Sequence, residues 1–252
     1  MRVFLFDTPV DILSRQETID RAVTAMATRQ RCQHVALNVA KLVNARSDAE
    51  LDRDVRDSDI VGIDGMGIVF ALRLFGHKVE ERVAGVDLFD DLIAAAAERG
   101  FRPYLLGATQ AVLNETMAVL SPRHPTLHFA GARNGYFKPE EEAGVVADIR
   151  ASGADCLFIA MPTPRKERFM HAWRDQLNVP FLMGVGGTFD VVAGKVERAP
   201  DLYQKLGMEW LYRLMQEPRR MFWRYARTNT LFLALMLPGL LRHWLGGERR
   251  AA

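Results

Sequence analysis

Four short segments carry residue types that could do chemistry: Asp64-Gly65-Met66-Gly67, Gly107-Ala108-Thr109, Pro162-Thr163-Pro164-Arg165-Lys166-Glu167 and Gly186-Gly187-Thr188-Phe189-Asp190. Each follows an apolar run and precedes helical spacing, the pattern of a strand-loop-helix junction. Unsatisfied N–H groups at the helix starts of such junctions hold anions. A carboxylate at Asp64, beside glycines that let the backbone turn or approach a ligand, could take the proton of an attacking hydroxyl. It could equally cap a helix, a position that favours Asp. Asn38, ending another apolar run, could bind a sugar hydroxyl or orient a neighbouring carboxylate, or serve as a cap or turn. Gly184-Val185-Gly186-Gly187-Thr188 could cradle a diphosphate. Arg165 and Lys166, near a helix start, would favour a leaving phosphate, or stand as a solvated pair.

Asp52-Arg53-Asp54 and Asp57-Ser58-Asp59 have a D-x-D spelling but lie in a polar, helical stretch before an apolar run, and read as a solvated face. No residues have metal-ligand spacing. The first apolar run is not followed by the Gly-x-Gly-x-x-Gly of a dinucleotide fold, which argues against a nicotinamide or flavin enzyme. The reading is therefore of no cofactor and no metal, with Arg, Lys or helix N-termini neutralising a leaving diphosphate.

Apolar runs suited to buried parallel strands recur at Val3–Phe6, Val35–Leu37, Ile60–Ile63, Tyr104–Leu106, Leu127–Ala130, Cys156–Met161 and Phe181–Val185. Between them, Ser14 and Glu17 spell a capping box, and Ile19, Ala22, Val23 and Met26 form one helical stripe. Further helical stretches are Leu88–Glu98, Ala111–Leu120, Glu140–Ala151 and Glu167–Leu177. The alternation predicts an α/β fold, a Rossmann-like, largely parallel sheet with helices on both faces. Residues 1–200 would form this catalytic domain and residues 201–252 a basic, apolar helical appendage.

With 49% hydrophobic and 25% charged residues, the 252-residue chain can bury a substantial core. Cys32 and Cys156, far apart in apolar runs, suit buried free thiols in a reducing compartment. Asp7 and Asp11 interrupt the N-terminal apolar run before a signal-peptide core could form, which predicts a cytoplasmic protein. The net charge of +2 conceals an asymmetry, because nine Lys/Arg against three acids from Leu202 onward give that segment +6. Such a segment seeks phosphate, lipid or nucleic acid. Arg220, Arg224 and Arg227 share a helical face beside Met221, Phe222, Trp223 and Tyr225. The apolar Thr230–Leu241 follows, broken by Pro238-Gly239 and closed by Arg242, His243 and Trp244. It is shorter than the roughly 20 apolar residues a bilayer span needs. A helix pair lying in the membrane interface is the reading, with a buried core or dimer helix as the alternative. The apolar run favours lipid over nucleic acid.

Together these segments resemble the WecG/TagA/CpsF glycosyltransferases (glycosyltransferase family 26). The resemblance rests on Ile63-Asp64-Gly65-Met66-Gly67-Ile68, Arg82-Val83-Ala84-Gly85-Val86-Asp87-Leu88, Gly135-Tyr136-Phe137, Gly184 to Asp190, Gly207-Met208-Glu209-Trp210-Leu211-Tyr212-Arg213-Leu214 and Gln216-Glu217-Pro218-Arg219-Arg220, in order from about Asn38 to Tyr225. It implies inverting, metal-independent transfer from a UDP-sugar to a sugar on undecaprenyl diphosphate, for bacterial surface polysaccharide. It places Asp64 as general base, Asn38 as its partner, and Arg213, Arg220 and Arg224 as arginines that complete the site at the inner face of the cell membrane. Gly65, Gly67, Asp87, Gly107, Thr109, Arg165, Lys166, Glu167, Gly186, Gly187, Thr188 and Asp190 are the expected substrate-binding positions. Homo-oligomerisation is open, since the C-terminal helices could cover their own site or a second chain's.

The chain departs from the family pattern at Ala36, where many members have Thr, at Ala84-Gly85-Val86-Asp87 in place of Thr-Gly-Ser-Asp, and at Pro164-Arg165-Lys166-Glu167 in place of Pro-Lys-Gln-Glu. The lost hydroxyls and an added cation turn the expectation from an N-acetylmannosamine donor to UDP-glucose, with a UDP-uronic acid as the alternative. A protein of another class, a silent adaptor binding lipid diphosphates, would need neither Asp64 nor a nucleotide sugar.

Overall fold

The computed structural model describes residues 1–205 and 207–245. The chain opens with an antiparallel hairpin, β1 (Arg2–Leu5) and β2 (Thr8–Asp11), which stands apart from the main sheet. This corrects the expectation of a first parallel strand at Val3–Phe6. Phe6 and Asp7 both adopt positive φ, 50° and 64°, and turn the chain back on itself after two residues. Arg2 pairs with Asp11 across the hairpin, and the same carboxylate accepts the Val61 N–H at 2.8 Å, tying the hairpin to the rest of the fold.

After α1 (Arg15–Thr28) come β3 (Cys32–Leu37), α2 (Val39–Ala45), α3 (Ala49–Arg56), β4 (Ile60–Ile63), α4 (Met66–Leu74), α5 (Gly85–Arg99), β5 (Pro103–Gly107) and α6 (Gln110–Arg123). Then follow β6 (Gly131–Arg133), α7 (Glu142–Ser152), β7 (Cys156–Ala160), α8 (Arg165–Leu177), β8 (Phe181–Gly184) and α9 (Thr188–Val192). The six strands β3–β8 form one parallel sheet in the order β4-β3-β8-β7-β5-β6, which is the Rossmann-like α/β architecture expected. The strand expected at Leu127–Ala130 lies just beyond it, at β6. There Gly131 admits the Tyr104 ring, whose Cε2 would meet a Cβ at 2.5 Å.

Successive strand residues feed two cores. Tyr104, Leu106 and Ile159 join α2, α3, α4, α7 and α8 on one face. Leu105, Phe158 and Phe181 join α1, α5, α6 and α9 on the other. The capping box forms as expected, with Ser14 Oγ accepting the Glu17 N–H and Glu17 accepting that of Ser14. The acidic stretch before β4 is helical, but Asp54 is fully buried and bonded to Arg53, its face packed toward His171 of α8 rather than solvated.

Beyond α10 (Asp201–Lys205) and α11 (Glu209–Gln216), one helix, α12 (Pro218–Leu245), runs on through Pro238. The expected helix pair is thus a single element. Its Thr228, Phe232 and Met236 are buried, the last two within the core that holds α2 and α4, while Phe222, Trp223, Leu233 and Leu237 are exposed. Arg242, His243 and Trp244 lie on α12, but their side chains fall outside the described residues.

Candidate active site

β3 is followed by β4 on one side, and every later strand of the sheet lies on its other side. A crevice for ligands opens at the carboxyl ends of strands around such a reversal. Asn38 leaves β3 and Asp64 leaves β4 at this point, and the Asp64 N–H is held by the Leu37 carbonyl at 3.0 Å. Gly65 allows the two junctions to touch, since a Cβ there would lie 3.3 Å from that of Asn38.

Asp64 does not cap its own helix. The N-cap of α4 is Gly65, whereas Asp64 Oδ1 accepts the Gly85 N–H at 3.0 Å, at the first residue of the 15-residue α5. The N-cap residue Ala84 has no side-chain acceptor, so a carboxylate from β4 does its work and sits at the positive end of the helix dipole. Burial raises the carboxyl above the ordinary aspartate range, against the pull of the Gly85 N–H, Arg82, Arg213 and Lys41. A part-buried base with a raised pKa is suited to proton abstraction near neutral pH. Asn38 does cap, its Oδ1 accepting the Lys41 N–H at 3.0 Å at the start of α2.

Beneath these two residues lies a buried ionic cluster. Lys41 Nζ donates to the Ala36 carbonyl at 2.6 Å and pairs with Glu167 Oε1 at 2.8 Å. Lys166 Nζ reaches the same oxygen at 3.0 Å and Thr163 Oγ1 at 2.5 Å. Glu167 has no exposed surface, and its carboxylate holds the two lysines. Above it, Arg82 pairs with Glu209 of α11, and Arg213 follows one turn later, exposed and acting on Asp64 by its charge.

Other expected residues turn inward or pair elsewhere. Arg165 donates to the Gly135 and Phe137 carbonyls at 3.0 and 2.6 Å and stacks on the Phe137 ring, clamping the loop after β6. Thr188 is buried and donates to the Val185 carbonyl, and Asp87 pairs with Arg198 at 2.7 Å. Gly67 serves packing, because a Cβ there would stand 2.5 Å from Val39. Gly107, at φ 125°, lets β5 pass the Ala160 carbonyl, and Thr109 caps α6. The Ala108, Gly186 and Thr188 amides are taken by the Ala160, Ile159 and Val185 carbonyls, which leaves Thr109 and Gly187 to offer N–H groups. Asp190 is part-buried on the short α9. Arg224 rests on the neighbouring Tyr225, and the Arg220 side chain falls outside the described residues. No three His, Cys, Asp or Glu side chains among the described residues are grouped to hold a metal.

The sequence from residue 3 to residue 246, nearly the whole chain, matches the glycosyl transferase WecG/TagA/CpsF family. The chain belongs to that family. As a WecG/TagA/CpsF member it is a glycosyltransferase of cell-surface polysaccharide synthesis. Its strand-end carboxylate and cationic surround fit that activity. The site also includes residues that local spacing did not single out: Lys41, Arg82, Arg198 and Glu209. Arg82 and Glu209 stand within the segments that carry the family likeness, and pairing them required knowing that α11 returns to the loop before α5.

Proposed function

We propose that the protein transfers a hexose, with inversion, from a UDP-sugar to a sugar carried on a polyprenyl diphosphate, and that UDP-glucose is the donor. The carrying observation is Asp64: a part-buried carboxylate fixed on the N-terminus of α5, with Arg82, Arg213 and Lys41 around it. It takes the proton of the acceptor hydroxyl as that oxygen attacks the anomeric carbon. Asn38, seated against Gly65, orients the sugar beside it. Positive charge for the departing UDP comes from Arg213, joined in this reading by Arg220 and Arg224 of α12, and from the N–H groups at the start of α6.

A lipid-linked acceptor is supported by an apolar groove of about 330 Å³ between α4 and α12. It starts at Gly67, three residues past Asp64, and continues along Phe70, Leu74, Leu233 and Leu237. No described helix is long and apolar enough to cross a membrane. Exposed Phe222, Trp223 and Leu237 on α12, with Arg224 and Arg227, suit the surface of the inner face of the cell membrane.

The test is UDP release from a panel of UDP-sugars, with and without a short-chain polyprenyl-diphosphate sugar, in EDTA. Acceptor-dependent release that falls in Asp64→Asn supports the reading and names the donor. Release that ignores the acceptor, or full turnover by Asp64→Asn, would overturn it.

A further inference from the structure

Arg165 opens α8 as a residue type that could meet a phosphate, yet its guanidinium is committed to backbone. Nη1 donates to the Gly135 carbonyl at 3.0 Å and Nη2 to the Phe137 carbonyl at 2.6 Å, while the group lies 4.5 Å from the centre of the Phe137 ring. Phe137 is itself buried against Phe169 of the same helix. One side chain thus grips the loop after β6 on both sides of Tyr136. That loop in turn holds the β5–α6 junction. The Gly135 N–H donates to the Ala108 carbonyl at 3.0 Å, and Asn134 Nδ2 reaches Gln110 Oε1 at 3.3 Å. Gly135 permits the approach, because a Cβ there would stand 3.0 Å from Gly107 Cα. Ala108 has φ 52°, a left-handed conformation that an alanine keeps only where its surroundings enforce it. Here its N–H is fixed by the Ala160 carbonyl and its carbonyl by the Gly135 N–H.

We propose that Arg165 is a positioning residue for the donor: by clamping Gly135 and Phe137 it holds Ala108 in its left-handed turn and so aims the Thr109 N–H, the next in the chain, at the diphosphate of the nucleotide sugar. This rests on the reading of the α6 N–H groups as the seat of the departing UDP. Arg165 then acts through the backbone of two loops and is not itself a phosphate ligand. The chain of contacts is continuous, from guanidinium to the Gly135 carbonyl and from the Gly135 N–H to the Ala108 carbonyl.

The experiment measures UDP binding by titration calorimetry and amide exchange by NMR in wild type, Arg165→Met, Gly135→Ala and the double variant. Each single change should weaken UDP binding by about tenfold, the loss expected when a hydrogen bond to the diphosphate is misaimed. Both changes open the same clasp, so the double variant should bind little worse than the poorer single one. Exchange should quicken at the Gly135 and Ala108 amides while those of β7 keep their wild-type protection. In steady-state transfer the donor KM should rise and the acceptor KM stay as in wild type. Wild-type UDP affinity in Arg165→Met, with Gly135 exchanging faster, would overturn the proposal. Additive losses would overturn it too, since they would make Arg165 a contact independent of the loop. Loss of protection throughout the sheet would leave Arg165 a general packing role, and the proposal would fall. If Arg165→Met does not fold by circular dichroism, Arg165→Gln carries the same expectations. A wild-type protein that binds no UDP would instead remove the donor reading, and the proposal with it.

Discussion

Glu209, in the first turn of α11, receives both ends of the Arg82 guanidinium, with Nη1 at 2.5 Å and Nη2 at 3.1 Å from its two carboxylate oxygens. Arg82 stands three residues before Gly85, the residue whose N–H Asp64 holds. The pair therefore fastens the start of the C-terminal segment to the loop before α5 and brings Arg213 within electrostatic reach of Asp64.

Breaking that pair should disturb both function and the docking of α11. Arg82→Ala and Glu209→Ala are each expected to lower kcat/KM by tenfold or more. A double-mutant cycle should give a coupling on the order of 1–2 kcal/mol. Arg82→Lys should not rescue, since an ammonium cannot reproduce the two-pronged contact. Faster proteolysis within residues 207–245 in the single variants would show that the segment has loosened. Additive effects would mean the two residues act independently.

Asp64→Asn should lower kcat by about 100-fold or more if proton abstraction is rate-determining. The fold should tolerate it, because an Asn oxygen can still accept the Gly85 N–H, so the thermal midpoint should change little. The wild-type rate should fall with acid at a pH above the ordinary aspartate range, since burial raises the Asp64 carboxyl despite the Gly85 bond and the nearby cations. A flat profile from pH 7 down to about 4, the unperturbed carboxylate value, would contradict that environment.

The parts of this site that depend on local chain chemistry were legible from the sequence. Apolar runs ending in Asn38, Asp64, Gly107 and Val185 gave the strand ends, and Ser14 with Glu17 gave a helix start. What was hidden depends on which remote backbone or side chain arrives. Phe6-Asp7 is not a usual pair for a left-handed turn, so the first apolar run reads as a sheet strand. Asp54 has the same neighbours as a solvated acid until α8 packs on it. Arg165 and Lys166 are adjacent in sequence, yet one turns to the loop after β6 and the other down to Glu167.

Two glycines should separate packing from propensity. Gly107→Ala would place a Cβ 2.4 Å from the Ala160 carbonyl oxygen at a φ of 125°, and neither backbone has room to give. A loss of about 2 kcal/mol or more is expected, with activity falling because the loop after β5 must shift. Gly144, exposed in α7 with nothing within 4 Å of its would-be Cβ, should gain about 0.5–1 kcal/mol as Gly144→Ala. Urea denaturation of both variants checks the pair, and equal effects would rule out the contact argument.

The Glu167 cluster should give stability two opposite pH dependences. Burial alone would raise Glu167, but Lys41 and Lys166 overcome it and hold the carboxyl at about 2, below the ordinary glutamate value of 4.5. A depressed acid contributes stability that is complete above the unfolded value and lost as pH falls toward the folded one. Glu167→Gln should therefore cost roughly 3 kcal/mol at pH 7, and its penalty should vanish between about pH 4.5 and 2. Lys166 has the reverse sign. Burial and Lys41 lower it from 10.5 to about 8, so the unfolded chain binds more protons between those values and wild-type stability gains from this group as pH rises through them. Below pH 8 the buried ammonium is a net cost, and Lys166→Met should raise the thermal midpoint at pH 7. That gain should shrink by pH 10.5. Thermal denaturation across pH decides it: a Lys166→Met protein less stable than wild type at pH 7 would show that the bonds to Glu167 and Thr163 outweigh the cost of burying the second charge.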